Sequence, residues 1–369
     1  MFSPTIGMRP YYLILLIVSV LCVCASIAMQ PQELPRRGQA ARYRGITKLW
    51  LFSIIATLAI TSGLRYYVGT DYYAYYNGLN SYGKALKRSL LALNEPMLPL
   101  IATTLCLFTS DGAWFVMACA VLTMCLLLVP QYKYSSSFLF STLLFILVGN
   151  WHGSFNGVRQ FLAAAIVFAG HRYIFERNFK KYALVVFLAF CTHRSAIVMI
   201  VPYFILNNRL SVKNILLLVG GTMLLSANYD TVFKFIGFLK ETDMAIGDQG
   251  YYAKSVNILR VLVACAPAIL CFVLYFNTKV TSEDAFYINA LIMNGAAMIA
   301  TSNSAYLARL GIYTNVFTPL AMAKLIRKDN RAVQTFLRIG IVALYYVYWY
   351  TEVSKSSSLR YFHWIWERS

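Results

Sequence analysis

The chain has 369 residues, of which 59% are hydrophobic and only 13% are charged, a composition too apolar for a soluble globular domain. The formal net charge of +19 does not indicate a nucleic-acid partner. The basic residues lie between apolar runs, where the positive-inside rule and attraction to anionic lipids explain them. Many apolar runs approach the roughly 20 residues of a membrane-spanning helix. We therefore predict an all-α polytopic membrane protein with one transmembrane domain over residues 1–369.

The first two predicted helices set the orientation in the membrane. The first covers Tyr11–Met29 and lacks a convincing cleavage site, so we interpret it as a retained helix. The following segment, Pro31–Lys48, is strongly basic and is therefore predicted to be cytoplasmic. The second helix, Leu49–Leu64, returns to the outer face. Seven tyrosines between Tyr66 and Tyr82 follow it, as is typical of an interfacial aromatic belt.

Two later segments are predicted not to cross the membrane as single helices. The segment Glu95–Phe108 is short and contains two prolines, which favours a re-entrant or interfacial path. The segment Tyr182–Leu206 is interrupted by polar residues at Thr192–Ser195, which favours two shorter pieces. The other predicted spans, of about 10–12 helices in total, are Trp114–Val129, Phe138–Val148, Gly157–Phe175, Asn214–Asn228, Asn257–Phe276, Phe286–Ala300, Arg309–Leu325 and Phe336–Tyr350.

With both breaks, the major basic loops become cytoplasmic, as the positive-inside rule requires. The long polar segment Tyr229–Val256 lies outside, and the tail Leu359–Arg368 is predicted to be an outer interfacial anchor. A basic group that remains outside, against the rule, consists of Lys84, Lys87 and Arg88. The same topology places a set of polar residues at the outer ends of their segments: Arg65, Asp71, Glu95, Asn156, Arg159, His193 and Arg309.

This set of residues suits a membrane-embedded phosphate or diphosphate ester that is attacked by an alcohol. Arginine presents a planar fork that binds phosphate oxygens bidentately, and a carboxylate or histidine can take the proton of the attacking hydroxyl. Each residue also has a structural interpretation: an interfacial anchor for an arginine, a helix cap for a carboxylate, a hydrogen-bonded core residue for the histidine. We expect no metal and no cofactor, because carboxylates are few and the eight cysteines lie in apolar runs.

Four sequence elements resemble the EpsG family of Wzy-type polysaccharide polymerases. They are GLRYYVGTDYYAYY, NEPMLPL, NGVRQFLAAAI and AFCTHRSAIVMIVPYFI, which appear in that order, and the match covers roughly Gly63–Tyr203. The match departs from the family pattern in two places, with Cys191–Thr192 before His193 and Pro96 after Glu95. Downstream, Arg309 and Tyr313 are similar to a further family element.

The resemblance implies a GT-C-like glycosyltransferase, independent of metals, at the outer or periplasmic face of a bacterial cytoplasmic membrane. It would transfer a growing glycan from one undecaprenyl diphosphate to a hydroxyl of the next lipid-linked repeat unit. Implied roles are diphosphate binding for Arg65, Arg159 and Arg309, and base or acceptor positioning for Asp71, Glu95 or His193. The implied supporting residues are Asn156, Gln160, Ser195 and Tyr313.

Two other functions remain open at this stage. Broken helices with buried charges also suit a flippase or transporter of lipid-linked glycans, although the sequence shows no second copy of the arginine or histidine elements. A membrane ligase or acyltransferase with His193 as its base would differ only in its acceptor. In either glycosyltransferase the expected partners are lipid-linked oligosaccharides, with a chain-length regulator and a flippase as candidate protein partners.

Overall fold

A computed structural model describes residues 7–28, 37–208, 213, 215–217, 220–221, 224, 255–275, 280–304, 307–327 and 330–367. Within these residues the chain is helical and contains no strand. Four described helices are long and apolar enough to cross a membrane: Arg9–Ala28, Ala113–Tyr134, Ile258–Tyr275 and Arg331–Lys355. The predicted class, an all-α polytopic membrane protein, is therefore confirmed.

The described helices follow one another along the whole chain. In chain order they are α1 (Arg9–Ala28), α2 (Arg37–Gly63), α3 (Tyr72–Tyr76), α4 (Leu79–Leu91), α5 (Met97–Leu105), α6 (Ala113–Tyr134), α7 (Phe138–Leu147), α8 (Asn150–Gly153), α9 (Val158–Ala169), α10 (Arg172–Phe175), α11 (Phe179–Phe190), α12 (Pro202–Ile205), α13 (Ile258–Tyr275), α14 (Ser282–Ala300), α15 (Ile312–Asn315), α16 (Thr318–Leu325) and α17 (Arg331–Lys355). Short 3₁₀ helices cover Arg194–Ile200, Leu307–Gly311 and Ile365–Glu367.

The chain divides into two compact units. Unit 1 comprises Met1–Leu162 and Ile326–Ser369, and unit 2 comprises Ala163–Leu325, so the boundary falls within α9. In unit 1, α1 packs against α2 and α7, and α2 packs against α6. The last turn of α2 lies very close to α6, because a Cβ at Gly63 would stand 2.9 Å from the Cα of Met117. This approach fixes the C-terminal end of α2, from which the tyrosine-rich segment begins.

The first predicted break coincides with a pair of short helices. Helix α5 has nine residues, a length of only about 13 Å at 1.5 Å per residue, against a hydrocarbon core of about 30 Å. It packs against α4, the amphipathic helix before it. The structure therefore agrees with the prediction that Glu95–Phe108 does not cross the membrane as one helix.

The second predicted break is also present, in unit 2. Helix α11 ends at Phe190, and the chain resumes as the 3₁₀ helix Arg194–Ile200. Between them His193 is extended, with φ −153° and ψ 120°, and its side chain accepts a hydrogen bond from the backbone N–H of Ser195. The histidine therefore caps the second piece, as polar residues do at helix N-termini.

Several predicted boundaries differ from the structure. Helix α2 begins at Arg37, inside the segment predicted to be a loop. The predicted span Gly157–Phe175 is two helices, separated at Gly170 and His171. The predicted span Arg309–Leu325 is divided among three short helices, Leu307–Gly311, Ile312–Asn315 and Thr318–Leu325. The predicted span Asn214–Asn228 and loop Tyr229–Val256 lie largely outside the described residues.

Candidate active site

The first site in unit 1 is an ion pair at the start of α9. Arg159 donates from Nη1 to Oε2 of Glu95 at 2.6 Å and from Nε to the hydroxyl of Tyr75 at 3.3 Å. The Arg159 side chain is 37% exposed, whereas that of Glu95 is only 12% exposed. Among the described residues, nothing accepts a hydrogen bond from Nη2 of Arg159. The guanidinium is therefore held on two sides by Glu95 and Tyr75, and no described residue engages its Nη2 edge.

Aromatic rings form the wall behind this ion pair. The ring of Tyr75 stacks on that of Tyr82, with centroids 6.3 Å apart, and both contact Phe115 of α6. Burial raises the pKa of Tyr75 to about 12, although the neighbouring Arg159 charge opposes this shift. Tyr75 is therefore protonated at neutral pH, and its hydroxyl can accept from Arg159 while donating elsewhere.

The backbone at Glu95 lies in an uncommon conformation. Its φ is +49°, in the left-handed region, and Pro96 follows directly. A residue other than glycine pays about 1–2 kcal/mol in that region, and such strain clusters at functional sites. Here it turns the carboxylate toward Arg159 at the point where α4 ends and α5 begins. The ion pair with Arg159 is the contact that this strained conformation of Glu95 makes possible.

Asp71 lies on a loop that Asn156 holds in place. The side-chain oxygen of Asn156 accepts from the backbone N–H of Thr70 at 2.8 Å, and Thr70 Oγ1 donates to Asp71 Oδ1 at 3.1 Å. Gly69 has φ +99°, and a Cβ there would collide with the carbonyl of Phe155. The loop therefore needs glycine at this position, and Asp71 follows it at the start of α3, partly exposed.

Three charged side chains of unit 1 affect the pKa of Tyr82. Burial raises the pKa of Tyr82, the positive charge of Arg159 opposes this, and the charges of Glu95 and Asp71 add to it. The structure brings Arg159 and Glu95 into direct contact, and Asn156 holds the loop that carries Asp71.

Arg65 has a different environment from Arg159. It is only 2% exposed, and its guanidinium lies 4.7 Å from the ring centroid of Phe155 and 5.5 Å from that of Tyr72. It donates from Nε to the carbonyl of Val68 at 3.0 Å and from Nη1 to the carbonyl of Ser62. Burial lowers its pKa to about 10, so it remains charged at neutral pH. Its buried Nη2 has no hydrogen-bond partner among the described residues.

The contacts of Arg65 connect the end of α2 to the tyrosine-rich loop. A direct contact with diphosphate would require Phe155 or Tyr72 to move, because these rings cover the guanidinium. Its predicted role in diphosphate binding stays a prediction, and the geometry favours a positioning role.

The C-terminal tail supports the loop between α2 and α3. The sequence did not predict this contact. Tyr66 N–H donates to the carbonyl of His363 at 2.8 Å, Ile365 N–H to Leu64 at 2.8 Å, and Gly69 N–H to Ser358 at 2.9 Å. Composition indicated only an interfacial anchor, since an aromatic tail carries no sequence signal for its backbone partners. The C-terminal tail therefore supports the Arg65–Asp71 segment through backbone hydrogen bonds.

A second polar cluster lies in unit 2. Nδ1 of His193 is 2.9 Å from Oγ of Ser195, and this oxygen is 3.0 Å from the hydroxyl of Tyr313. All three side chains are buried, that of Tyr313 completely. Since Nδ1 also accepts from the backbone of Ser195 at 3.3 Å, its lone pair is engaged in holding the break between α11 and the 3₁₀ helix.

The two remaining predicted site residues are Gln160 and Arg309. Gln160 is buried in unit 1, next to Arg159 on α9. Arg309 lies in the 3₁₀ helix of unit 2, partly exposed and one turn before Tyr313. Both take part in further interactions. Their predicted roles remain predictions.

In the described part of the chain, no group of three or more His, Cys, Asp or Glu side chains that could hold a metal ion occurs. The candidate site comprises the Arg159 guanidinium, the carboxylates of Glu95 and Asp71, and tyrosine hydroxyls. The fold and this cluster of side chains define a helical membrane protein with charged groups at the ends of its helices.

A family model for the EpsG family matches residues 48–364. The chain belongs to the EpsG family, which is a Wzy-type polymerase-like family. In the comparisons with curated proteins and with solved structures, nothing matches this chain. Family membership indicates a polysaccharide polymerase-like role, of the glycosyltransferase type, for this membrane protein.

Proposed function

We propose that the chain is a polysaccharide polymerase that joins undecaprenyl-diphosphate-linked repeat units at the outer face of a bacterial cytoplasmic membrane. The observation that carries the proposal is the Arg159–Glu95–Tyr75 cluster. In a chain of a polymerase-like family, it offers a fixed cation with one edge open to an anionic leaving group.

Arg159 binds the diphosphate of the donor. Its Nη2 faces the ligand while Glu95 and Tyr75 hold the other nitrogens, so the fork is pre-organised before the substrate arrives. Because charge develops on the diphosphate as it departs, a fixed cation favours the transition state over the ground state. Glu95 is a positioning residue in this scheme, since its carboxylate is engaged by Arg159.

Asp71 is the proposed general base. Its carboxylate is partly exposed and accepts one hydrogen bond from Thr70, which leaves further lone pairs for a substrate hydroxyl. Glu95 and His193 suit this role less, because an ion pair occupies the first and a backbone N–H occupies Nδ1 of the second. The three candidates from the sequence are thereby ranked.

The transfer step then balances as a substitution at the anomeric carbon. The acceptor hydroxyl oxygen forms a bond to that carbon, and the bond from the carbon to the diphosphate oxygen breaks. The diphosphate leaves with the electron pair on its oxygen beside Arg159, and Asp71 takes the hydroxyl proton. The growing glycan is then carried by the second lipid.

Replacement of Arg159 by Lys and by Ala tests the proposal in cells that lack the native protein. With normal membrane levels of the variants, we expect the surface glycan to shrink to a single repeat unit, because lysine lacks the planar fork. Arg172→Ala is the matched control, as Arg172 also pairs with a glutamate but on an exposed turn. Normal chain lengths in both Arg159 variants would refute the proposed clamp. Loss of all surface glycan, with lipid-linked repeats trapped inside, would identify a flippase instead.

A further inference from the structure

Helix α4 carries a basic stripe that the site described above does not use. Lys84, Lys87, Arg88 and Leu91 stand at positions i, i+3, i+4 and i+7, so their side chains lie on one face of the helix. Together with Ala92 they line an open groove of about 540 Å³. All five are exposed.

The described part of the chain does not neutralise the charge of this stripe. The sequence from Tyr72 to Asn94, which contains α4, has no aspartate or glutamate. In the described portions of the chain, no carboxylate forms an ion pair with Lys84, Lys87 or Arg88. Three cations on one face, with no ion-pair partner among the described carboxylates, attract a multivalent anion.

A neighbouring face of α4 is fixed against the protein, so the stripe has a defined direction. Leu79 belongs to the core that includes Phe115 and Leu98. Thr103 of α5 donates to the carbonyl of Gly83 at 2.9 Å, and a Cβ at Gly83 would stand 2.9 Å from the sulfur of Cys106. The helix is therefore held against α5.

The end of α4 is apolar as well as basic. Leu90, Leu91 and Leu93 are 54%, 80% and 51% exposed, respectively. A helix with a basic face and exposed leucines is typical of one that lies in the membrane interface. The occupant of the groove should therefore combine an anionic headgroup with a hydrocarbon chain.

The positive-inside rule does not account for this stripe, because the predicted topology places it outside. Polymerisation requires two lipid-linked diphosphates at once, one on the donor and one on the acceptor, and the open edge of Arg159 serves only one. On the basis of the proposed function, we infer that the α4 groove binds the diphosphate headgroup of the second lipid-linked substrate. Chain connectivity supports this, since Glu95 follows Arg88 by only seven residues.

The number of diphosphates bound per chain tests the inference. Purified protein in phosphatidylcholine nanodiscs is titrated with undecaprenyl diphosphate, and native mass spectrometry counts the bound molecules. We expect two on the wild type and one on the triple variant K84Q/K87Q/R88Q. The charge-retaining variant K84R/K87R/R88K should restore the second molecule. The matched control R177Q/K180Q/K181Q, which removes an equally exposed basic cluster, should bind two.

The outcomes separate this inference from the proposed function. Two molecules on the K84Q/K87Q/R88Q variant, or one on the wild type, would overturn the second site. Equal displacement of undecaprenyl diphosphate by phosphatidylglycerol would also overturn it, since the groove would then be a surface for bulk anionic lipid. If Arg159→Ala binds two molecules of undecaprenyl diphosphate while the triple variant binds one, the result supports the α4 groove as a binding site and contradicts diphosphate binding by Arg159.

Discussion

At the scale of single residues, the ion pair between Arg159 and Glu95 combines a modest contribution to stability with a large predicted contribution to activity. Because Arg159 is more than a third exposed, solvent screens the pair, and such pairs contribute about 1 kcal/mol or less. The position of the guanidinium matters more, because small displacements of a charge-stabilising group reduce catalysis strongly.

Glu95→Gln is therefore expected to lower polymerase activity at least tenfold while it changes the free energy of unfolding by about 1 kcal/mol or less. The amide retains the size of the side chain but no longer anchors the cation. Activity is measured on lipid-linked repeat units with purified protein, and stability by thermal unfolding in detergent. A double-mutant cycle with Arg159→Ala should show that the two losses are far from additive. Additive losses would mean that Glu95 acts independently of Arg159.

The ranking of the candidate bases yields a second prediction at this scale. Asp71→Asn should abolish chain extension without loss of undecaprenyl diphosphate binding, because the amide cannot take a proton. His193→Asn should retain a substantial part of the activity, since asparagine also accepts a backbone N–H at a helix start. The two rates of extension are compared at equal protein levels. A dead His193→Asn variant with normal stability would assign the base to His193.

At the scale of elements, the loop between α2 and α3 depends on a glycine and on the C-terminal tail. Gly69 holds a positive φ and leaves no room for a Cβ against Phe155. Gly340, in α17, instead has nothing within 4 Å of where its Cβ would be. Gly69→Ala should reduce activity and thermal stability, whereas Gly340→Ala should be neutral or stabilise the helix by up to about 1 kcal/mol. Unfolding temperatures and extension rates check both, and equal effects would contradict the role of the loop.

The C-terminal tail, which hydrogen-bonds to this loop, allows a further test. Truncation after Lys355 removes the carbonyls of Ser358 and His363 that accept from the loop. Such a chain should still insert, because α17 is complete, but should lose polymerase activity. Trp366→Ala is the control, since that ring is 64% exposed. Full activity of the truncated chain, with normal membrane levels, would exclude the tail from the site.

At the scale of the whole molecule, charge and hydropathy were sufficient to predict the class and both helix breaks. The breaks were predictable because polar residues such as His193 and the prolines after Glu95 interrupt otherwise apolar runs. The subdivision of Arg309–Leu325 was not predicted, although Thr314, Asn315 and Pro319 interrupt its apolar run where one helix gives way to the next. Likewise, the motifs predicted that Arg65 and Arg159 are important, but not that rings bury one and leave the other half-exposed. Tertiary packing decides that difference.

The predicted orientation can be tested with single cysteines in a variant that lacks the native ones. A cysteine at Lys84 should react with a membrane-impermeant maleimide in intact spheroplasts, because α4 is predicted to lie outside. A cysteine at Lys180 should react only after the membrane is opened. Labelling of Lys180 but not Lys84 in intact spheroplasts would invert the topology and place the Arg159 site on the cytoplasmic side.

The proposed function depends above all on the open edge of Arg159, which we propose binds the diphosphate of the donor lipid. The most direct measurement uses purified protein, reconstituted in vesicles with a lipid-linked repeat unit, and displays the products on a gel. We predict a ladder of increasing chain length for the wild type and for Arg172→Ala, and only the single unit for Arg159→Lys. A full ladder from Arg159→Lys would contradict the account.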